Sequence, residues 1–210
     1  MSNSLYLATI LAYLSLRPSM HPYENIPLNV AGYLVAAWLI LSHVWMLVKT
    51  DDAIEFLKKF PRNHLAGAIL MAIGMFWFWL LIVPFKSPIG MDLGEFNGAK
   101  NILLLAVPVV AYLMITSVKE FLAVRGLGVV CLMAAAPLLA AAFQEQATGK
   151  LLIPIFSYAM LTAGLFFVGM PYLMRDGITW ATASSGKFKL LALGGLLYGI
   201  ATLACAILYY

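Results

Sequence analysis

Six stretches of this chain contain no Asp, Glu, Lys or Arg: 25–48, 65–85, 101–118, 126–144, 151–174 and 190–210. They run 24, 21, 18, 19, 24 and 21 residues. A helix crossing the hydrocarbon core of a bilayer needs about 20 mostly apolar residues, within a range of about 17–25. One charge at the centre of such a helix costs at least about 2.5–3.5 kcal/mol on the insertion scale, against about −0.3 to −0.6 for each Leu, Ile, Phe or Val. The chain therefore places its ionic groups where spanning helices require them, between the apolar stretches.

Composition agrees. Hydrophobic residues make up 63% and charged residues 10% of the 210 positions, whereas soluble domains carry about 45–50% and about 25%. This excludes a soluble enzyme, a nucleic-acid binder and a disordered chain. Strands are excluded by run length. A membrane strand needs only about 9–11 residues and alternates apolar with polar, and runs such as 102–105 and 151–156 do not alternate. Helices also satisfy their own backbone polar groups in the absence of water. The predicted fold is all-α: a polytopic transmembrane bundle with spans at 29–48, 65–85, 101–118, 126–144, 151–174 and 190–210. Residues 29–210 form one domain, and 1–28 are an N-terminal apolar segment and an outer loop. Residues 5–16 read as a short helix or half-helix packed on the bundle, with a short seventh span as the competing reading.

The positive charges predict orientation. Connections after the first, third and fifth spans hold Lys49, Lys58, Lys59, Arg62, Lys119, Arg125, Arg175, Lys187 and Lys189. The opposite side holds Arg17, Lys86, Lys100 and Lys150. The positive-inside rule assigns the richer side to the cytoplasm, which puts Tyr210 on the extracytoplasmic side. A prokaryotic inner membrane is the expected location.

Small residues let membrane helices approach. Gly195 and Gly199 share a face, as do Ala159 and Ala163, and each pair is a candidate packing surface; the glycine pair also raises a homodimer. Pro108 and Pro137 fall inside spans, where each removes a backbone donor and kinks its helix.

Candidate chemistry is sparse. His43 is an ionisable side chain within a span, which is a functional hypothesis by default. His64 opens the next span on the same side. Together they are the candidate cofactor-binding pair, for haem iron or, with methionine sulfur, for copper; a packed, hydrogen-bonded imidazole is the plainer reading. No cofactor is predicted, and no metal site is assigned. Ser42, Tyr112, Thr116, Ser157, Tyr158 and Thr162 are, with His43, the polar groups that would line a solute cavity. Asp51, Asp52 and Glu55 lack a second acidic cluster and read as the solvated face of the segment at 50–60, where Glu55 and Lys59 stand at i,i+4 spacing. Arg175-Asp176-Gly177 is read as a helix-end anchor with Gly177 in the left-handed capping position, with recognition of a lipid headgroup as the alternative. The loop at 90–98 is read as flexible, with a contact or ion site as the alternative. No P-loop, dinucleotide fingerprint, HExxH or G-x-S-x-G occurs.

These residues lean away from an enzyme. They imply an accessory or structural subunit of a membrane complex, partnered by the lipid bilayer and by other membrane subunits or a second copy, without nucleic acid. The alternatives are a small-solute or lipid facilitator, and a haem- or metal-binding redox subunit using His43 and His64.

Overall fold

The computed structural model describes residues 23, 26–83, 90–118, 120–143 and 145–210. The expected N-terminal apolar helix at 5–16, and its alternative as a seventh span, lie outside the described residues. The described residues form eight α-helices and no strand: α1 Leu28–Val48, α2 Thr50–Lys59, α3 His64–Ile82, α4 Lys100–Ser117, α5 Leu122–Phe143, α6 Leu152–Gly169, α7 Tyr172–Ala181 and α8 Ser185–Leu208. Two 3-10 turns, Phe60–Arg62 and Gly94–Ala99, join elements at the two ends of the bundle. Six helices are long and apolar enough to cross a membrane: α1, α3, α4 (with the preceding turn), α5, α6 and α8.

The two short helices differ from these in composition. In α2 the acids Asp51 and Asp52 occupy the first turn and Lys58 and Lys59 the last, the arrangement that complements the helix dipole. The spaced pair Glu55–Lys59 forms its ion pair, and Lys49 lies 3.8 Å from Asp52. Helix α2 lies between the first two spans, and α7 occupies the corresponding place between α6 and α8. Both end on the same rim, which also carries the α4–α5 connection.

Several boundaries depart from the charge-free intervals, including the start of α8 at Ser185, which takes Lys187 and Lys189 into the helix; two have identifiable reasons. The fifth span ends at Gly169 rather than near 174. Pro171 has no N–H to continue the ladder, and it disfavours helical backbone in the residue before it; Met170 leaves the helical region, at φ −130° and ψ 67°. The fourth span starts at Leu122, a turn ahead of 126, and takes Arg125 into the helix. A long cationic side chain at a helix end can keep its stem against apolar surface and its head at the rim.

Helix α5 is the hinge of the packing. Its two closest neighbours are α3 and α6, and two glycines admit them. A Cβ on Gly126 would fall 2.8 Å from the Met71 backbone nitrogen and 2.9 Å from the Gly67 carbonyl oxygen; one on Gly128 would fall 2.9 Å from the Gly164 carbonyl oxygen. Two residues at about 100° each place Gly126 and Gly128 on nearly opposite sides of the helix, so a single turn serves both neighbours. Helices α1 and α8 form a second antiparallel pair: Gly32 touches Ala206 and Tyr210, while Gly199 touches Leu39 and Ile40. Leu28, Val35, Leu39, Ala142 and Ile153 form a buried cluster that ties this pair to α5 and α6.

The outside of the bundle is apolar. Trp38, Ile102 and Leu190 are 66%, 72% and 71% exposed, and large aliphatic side chains are exposed on each of the long helices apart from the central α5. Water would not tolerate so continuous an apolar surface on a monomer; lipid would.

Candidate functional site

His43 is held from both sides of its ring. Nδ1 lies 2.7 Å from the Leu39 carbonyl oxygen one turn back, and since a carbonyl oxygen only accepts, Nδ1–H is the donor. Ser42 Oγ is 3.2 Å from the same nitrogen and itself donates to the Trp38 carbonyl at 2.7 Å. Nε2 faces α8 at Gly195, where an added Cβ would sit 2.0 Å from it. Glycine is thus the residue that lets the imidazole enter the α1–α8 seam. An iron or copper ion at Nε2 would require α8 to move aside.

His64 faces a different neighbour. It is the first residue of α3, capped by Asn63, whose side chain accepts from the Ala66 N–H at 3.0 Å. Its Nε2 lies 3.2 Å from the Ile115 carbonyl oxygen of α4, one of the last-turn carbonyls that have no partner within their own helix. The two imidazoles of the candidate pair therefore serve separate helix–helix contacts.

The polar groups expected to line a cavity do not converge. Tyr112 and Tyr158 are 69% and 60% exposed, and Thr116 and Thr162 are also exposed. Ser157 is fully buried, but its hydroxyl donates to the Ile153 carbonyl of its own helix at 2.7 Å. Thr116 likewise donates to Tyr112 at 2.8 Å. Such back-bonding satisfies a hydroxyl locally.

Of the small-residue faces, Gly195 and Gly199 both meet α1, whereas Ala159 is exposed and Ala163 half-buried. The α5–α6 approach runs instead through Gly164. Gly67, Gly126, Gly128 and Gly164, which sequence reasoning passed over, carry crossings at which an added Cβ would meet the backbone of the neighbouring helix within 3.0 Å. The spacing Gly67–Gly74 on α3, seven residues apart on one face, was the available signal.

Pro108 does border a groove. It lies between α3 and α4, has a volume of about 370 Å³, and is lined by Met75, Phe76, Trp79, Pro108, Ala111 and Ile115 among others. Its cause is local. Proline 108 has no N–H, so the Leu104 carbonyl loses its i+4 donor. Trp79 Nε1–H takes that oxygen at 3.1 Å across the helix interface, and stacks on Phe76 with ring centroids 6.0 Å apart. A defect in one helix becomes the attachment point for another.

The remaining sequence candidates fall into structural roles. Gly177 lies inside α7, and the left-handed glycines among the described residues are Gly94 and Gly149; the capping reading for Gly177 is corrected, because the helix it was expected to end has already stopped before Pro171. In the loop at 90–98, Asp92 accepts from the Gly94 N–H at 2.9 Å and from the Asn97 side chain, while Lys100 donates to the Met91 carbonyl at 2.7 Å. These hydrogen bonds, the Asn97 side chain first, hold the Asp92 carboxyl below the usual range. The loop is thus a closed turn built on Asp92. Among the described residues, no three His, Cys, Asp or Glu side chains gather as metal ligands would.

Six apolar helices of spanning length, short interfacial helices and polar groups satisfied near the rims define a multi-pass membrane protein. No family model, curated protein or solved structure matches the chain.

Proposed function

We propose that this protein is a non-enzymatic subunit of a larger membrane assembly, and that α4 is the helix it offers to its partner. The supporting observation is how α4 is held. Val107 is its one buried residue, yet Trp79 and His64 grip its carbonyls at Leu104 and Ile115 from α3. Two directional contacts near opposite ends fix the orientation of a helix that barely packs. A helix so fixed presents the same face at all times, which suits recognition by another protein's helix. By the positive-inside rule the rim bearing α2 and α7 faces the cytoplasm and Tyr210 faces outward, in a prokaryotic inner membrane.

A photo-reactive amino acid at Leu105 or Leu113, both exposed on α4, tests the reading in native membranes. One protein adduct of fixed mass from α4, and none from the exposed Leu190 of α8, is the expected result. Lipid adducts alone from both helices would refute it.

A second reading, a lipid facilitator, draws on the groove beside Pro108. Its apolar lining and volume of about 370 Å³ suit part of an acyl chain. Lipid adducts confined to Ala111 and Met75, absent from Leu190, would favour that reading over the first.

A further inference from the structure

The rim that carries α2 and α7 holds a pocket of about 290 Å³. Three cationic residues line it from three different elements: Lys58 from the last turn of α2, Arg62 from the 3-10 turn, and Arg175 from α7. Pro61, Phe121 and Ile178 supply apolar wall. The charge is only partly balanced. Asp176 Oδ1 takes Arg175 at 2.9 Å from both Nε and Nη2. The acids of α2 are turned to other partners, Asp52 to Lys49 and Glu55 to Lys59. Lys58 and Arg62 form no ion pair among the described residues, and neither Asp176 nor Glu120 lines the pocket.

Phe121 brings the aromatic face. It sits in the left-handed region at φ 55°, a conformation that costs a residue with a side chain and persists where its surroundings hold it. The Arg175 guanidinium carbon lies 6.0 Å from its ring centroid, within cation–π range. One turn further, Arg125 has a buried Nε with no hydrogen-bond partner among the described residues, which adds positive charge beneath the same connection.

We propose that this pocket binds a phosphate group at the membrane surface. Guanidinium forks match phosphate oxygens in pairs, and a lysine adds a point charge. A soluble phosphate and a lipid headgroup share that chemistry. The apolar wall of Pro61, Phe121 and Ile178 favours the headgroup, whose glycerol and chains need a nonpolar exit.

The test uses the full chain in a mild detergent, read by native mass spectrometry. Phosphatidic acid and phosphatidylcholine are titrated separately, and inorganic phosphate is added as a competitor. Retention of phosphatidic acid over phosphatidylcholine is expected, weakened about tenfold in the Arg62→Gln/Arg175→Gln double variant by loss of charge-assisted hydrogen bonds, and unchanged in Lys59→Gln, whose lysine lies outside the pocket. Displacement of the lipid by millimolar inorganic phosphate would assign the site to a soluble phosphate; resistance to it would assign the headgroup. The two arginines are exposed, and an unchanged melting temperature of the double variant separates lost binding from lost fold. Equal retention of both lipids, equal weakening by Lys59→Gln, or no binding of any phosphate would overturn the proposal. If the melting temperature falls, the single variant Arg62→Lys, which keeps charge but loses the fork, replaces the pair, and full retention by it overturns the guanidinium assignment.

Discussion

At the scale of single residues, the contact between His43 and Gly195 shows how a polar group is accommodated inside an apolar bundle. The ring donates from Nδ1 to the Leu39 carbonyl and lays its other nitrogen on a residue with no side chain. Gly195→Ala is expected to destabilise the protein by about 1–3 kcal/mol, the usual cost of forcing extra volume into a packed site. The same change in a His43→Ala background is expected to cost much less, because the clashing ring is gone. Thermal unfolding of the four proteins in one detergent measures the coupling, and additive losses would contradict the contact. Asp92 gives a pH-dependent counterpart outside the spans. Its carboxyl is held low by Asn97 and Gly94, so the ionised form favours the closed turn. That contribution is complete above the unfolded midpoint of about 3.9 and fades as pH falls through the lower folded value. The amide proton signal of Gly94 is expected to lose its hydrogen-bonded shift over that acid range, and to have lost it already at neutral pH in Asp92→Ala. The sequence exposed His43 as an oddity and Gly195 as a small residue, each for its own reason. It did not join them, because the rotational phase between α1 and α8 is set by the whole seam and not by any local pattern.

At the scale of elements, the proline in α4 has the largest consequence. Removing the Trp79 N–H by Trp79→Phe is expected to cost about 0.6 kcal/mol, the average for hydrogen bonds between membrane helices, and no more than about 1.7 kcal/mol, their maximum. Pro108→Ala restores the backbone donor to Leu104, so Trp79→Phe is expected to cost less in that background. A double-mutant cycle read by unfolding in detergent checks this; identical costs in both backgrounds would mean that the freed carbonyl is not what binds α4 to α3. Pro171 acts differently, as a stop between α6 and α7. The apolar stretch at 151–174 conceals that stop, since absence of charge measures how far a segment can be buried and not where its backbone turns. The same reasoning accounts for Arg125, which is helical although charged. The glycine crossings were less legible. Gly67 would place a Cβ 2.5 Å from the Ala123 backbone nitrogen, an obstacle that cannot rotate away, so Gly67→Ala is expected to cost at least as much as Gly195→Ala in the same melting experiment. The seven-residue spacing of Gly67 and Gly74 marks one face of α3, but it does not say which neighbour meets that face, and glycines such as Gly194 and Gly169 touch none.

At the scale of the whole molecule, the spacing of charges was enough to read the six long helices, because lipid penalises each buried charge separately and leaves a record in every span. The candidate cavity was not legible in the same way. Ser, Thr and Tyr can satisfy themselves on carbonyls of their own helix or point to the interface, and the sequence carries no mark of which they do; Ser157 and Tyr158 are neighbours with opposite fates. The basic pocket was half visible. Arg175 stood out as a headgroup contact or an anchor, but Lys58, Arg62 and Phe121 come from separate connections that only the tertiary fold brings together. The account as a whole depends on α2 and α7 lying on one side of a bilayer and the end of α8 on the other. Substituted-cysteine labelling tests this most directly. In a Cys131→Ser/Cys205→Ser background, Lys58→Cys and Tyr210→Cys are each exposed in sealed, oriented membrane vesicles to a membrane-impermeant maleimide. Labelling of the two positions from opposite sides is expected; labelling of both from the same side would contradict the six-span arrangement.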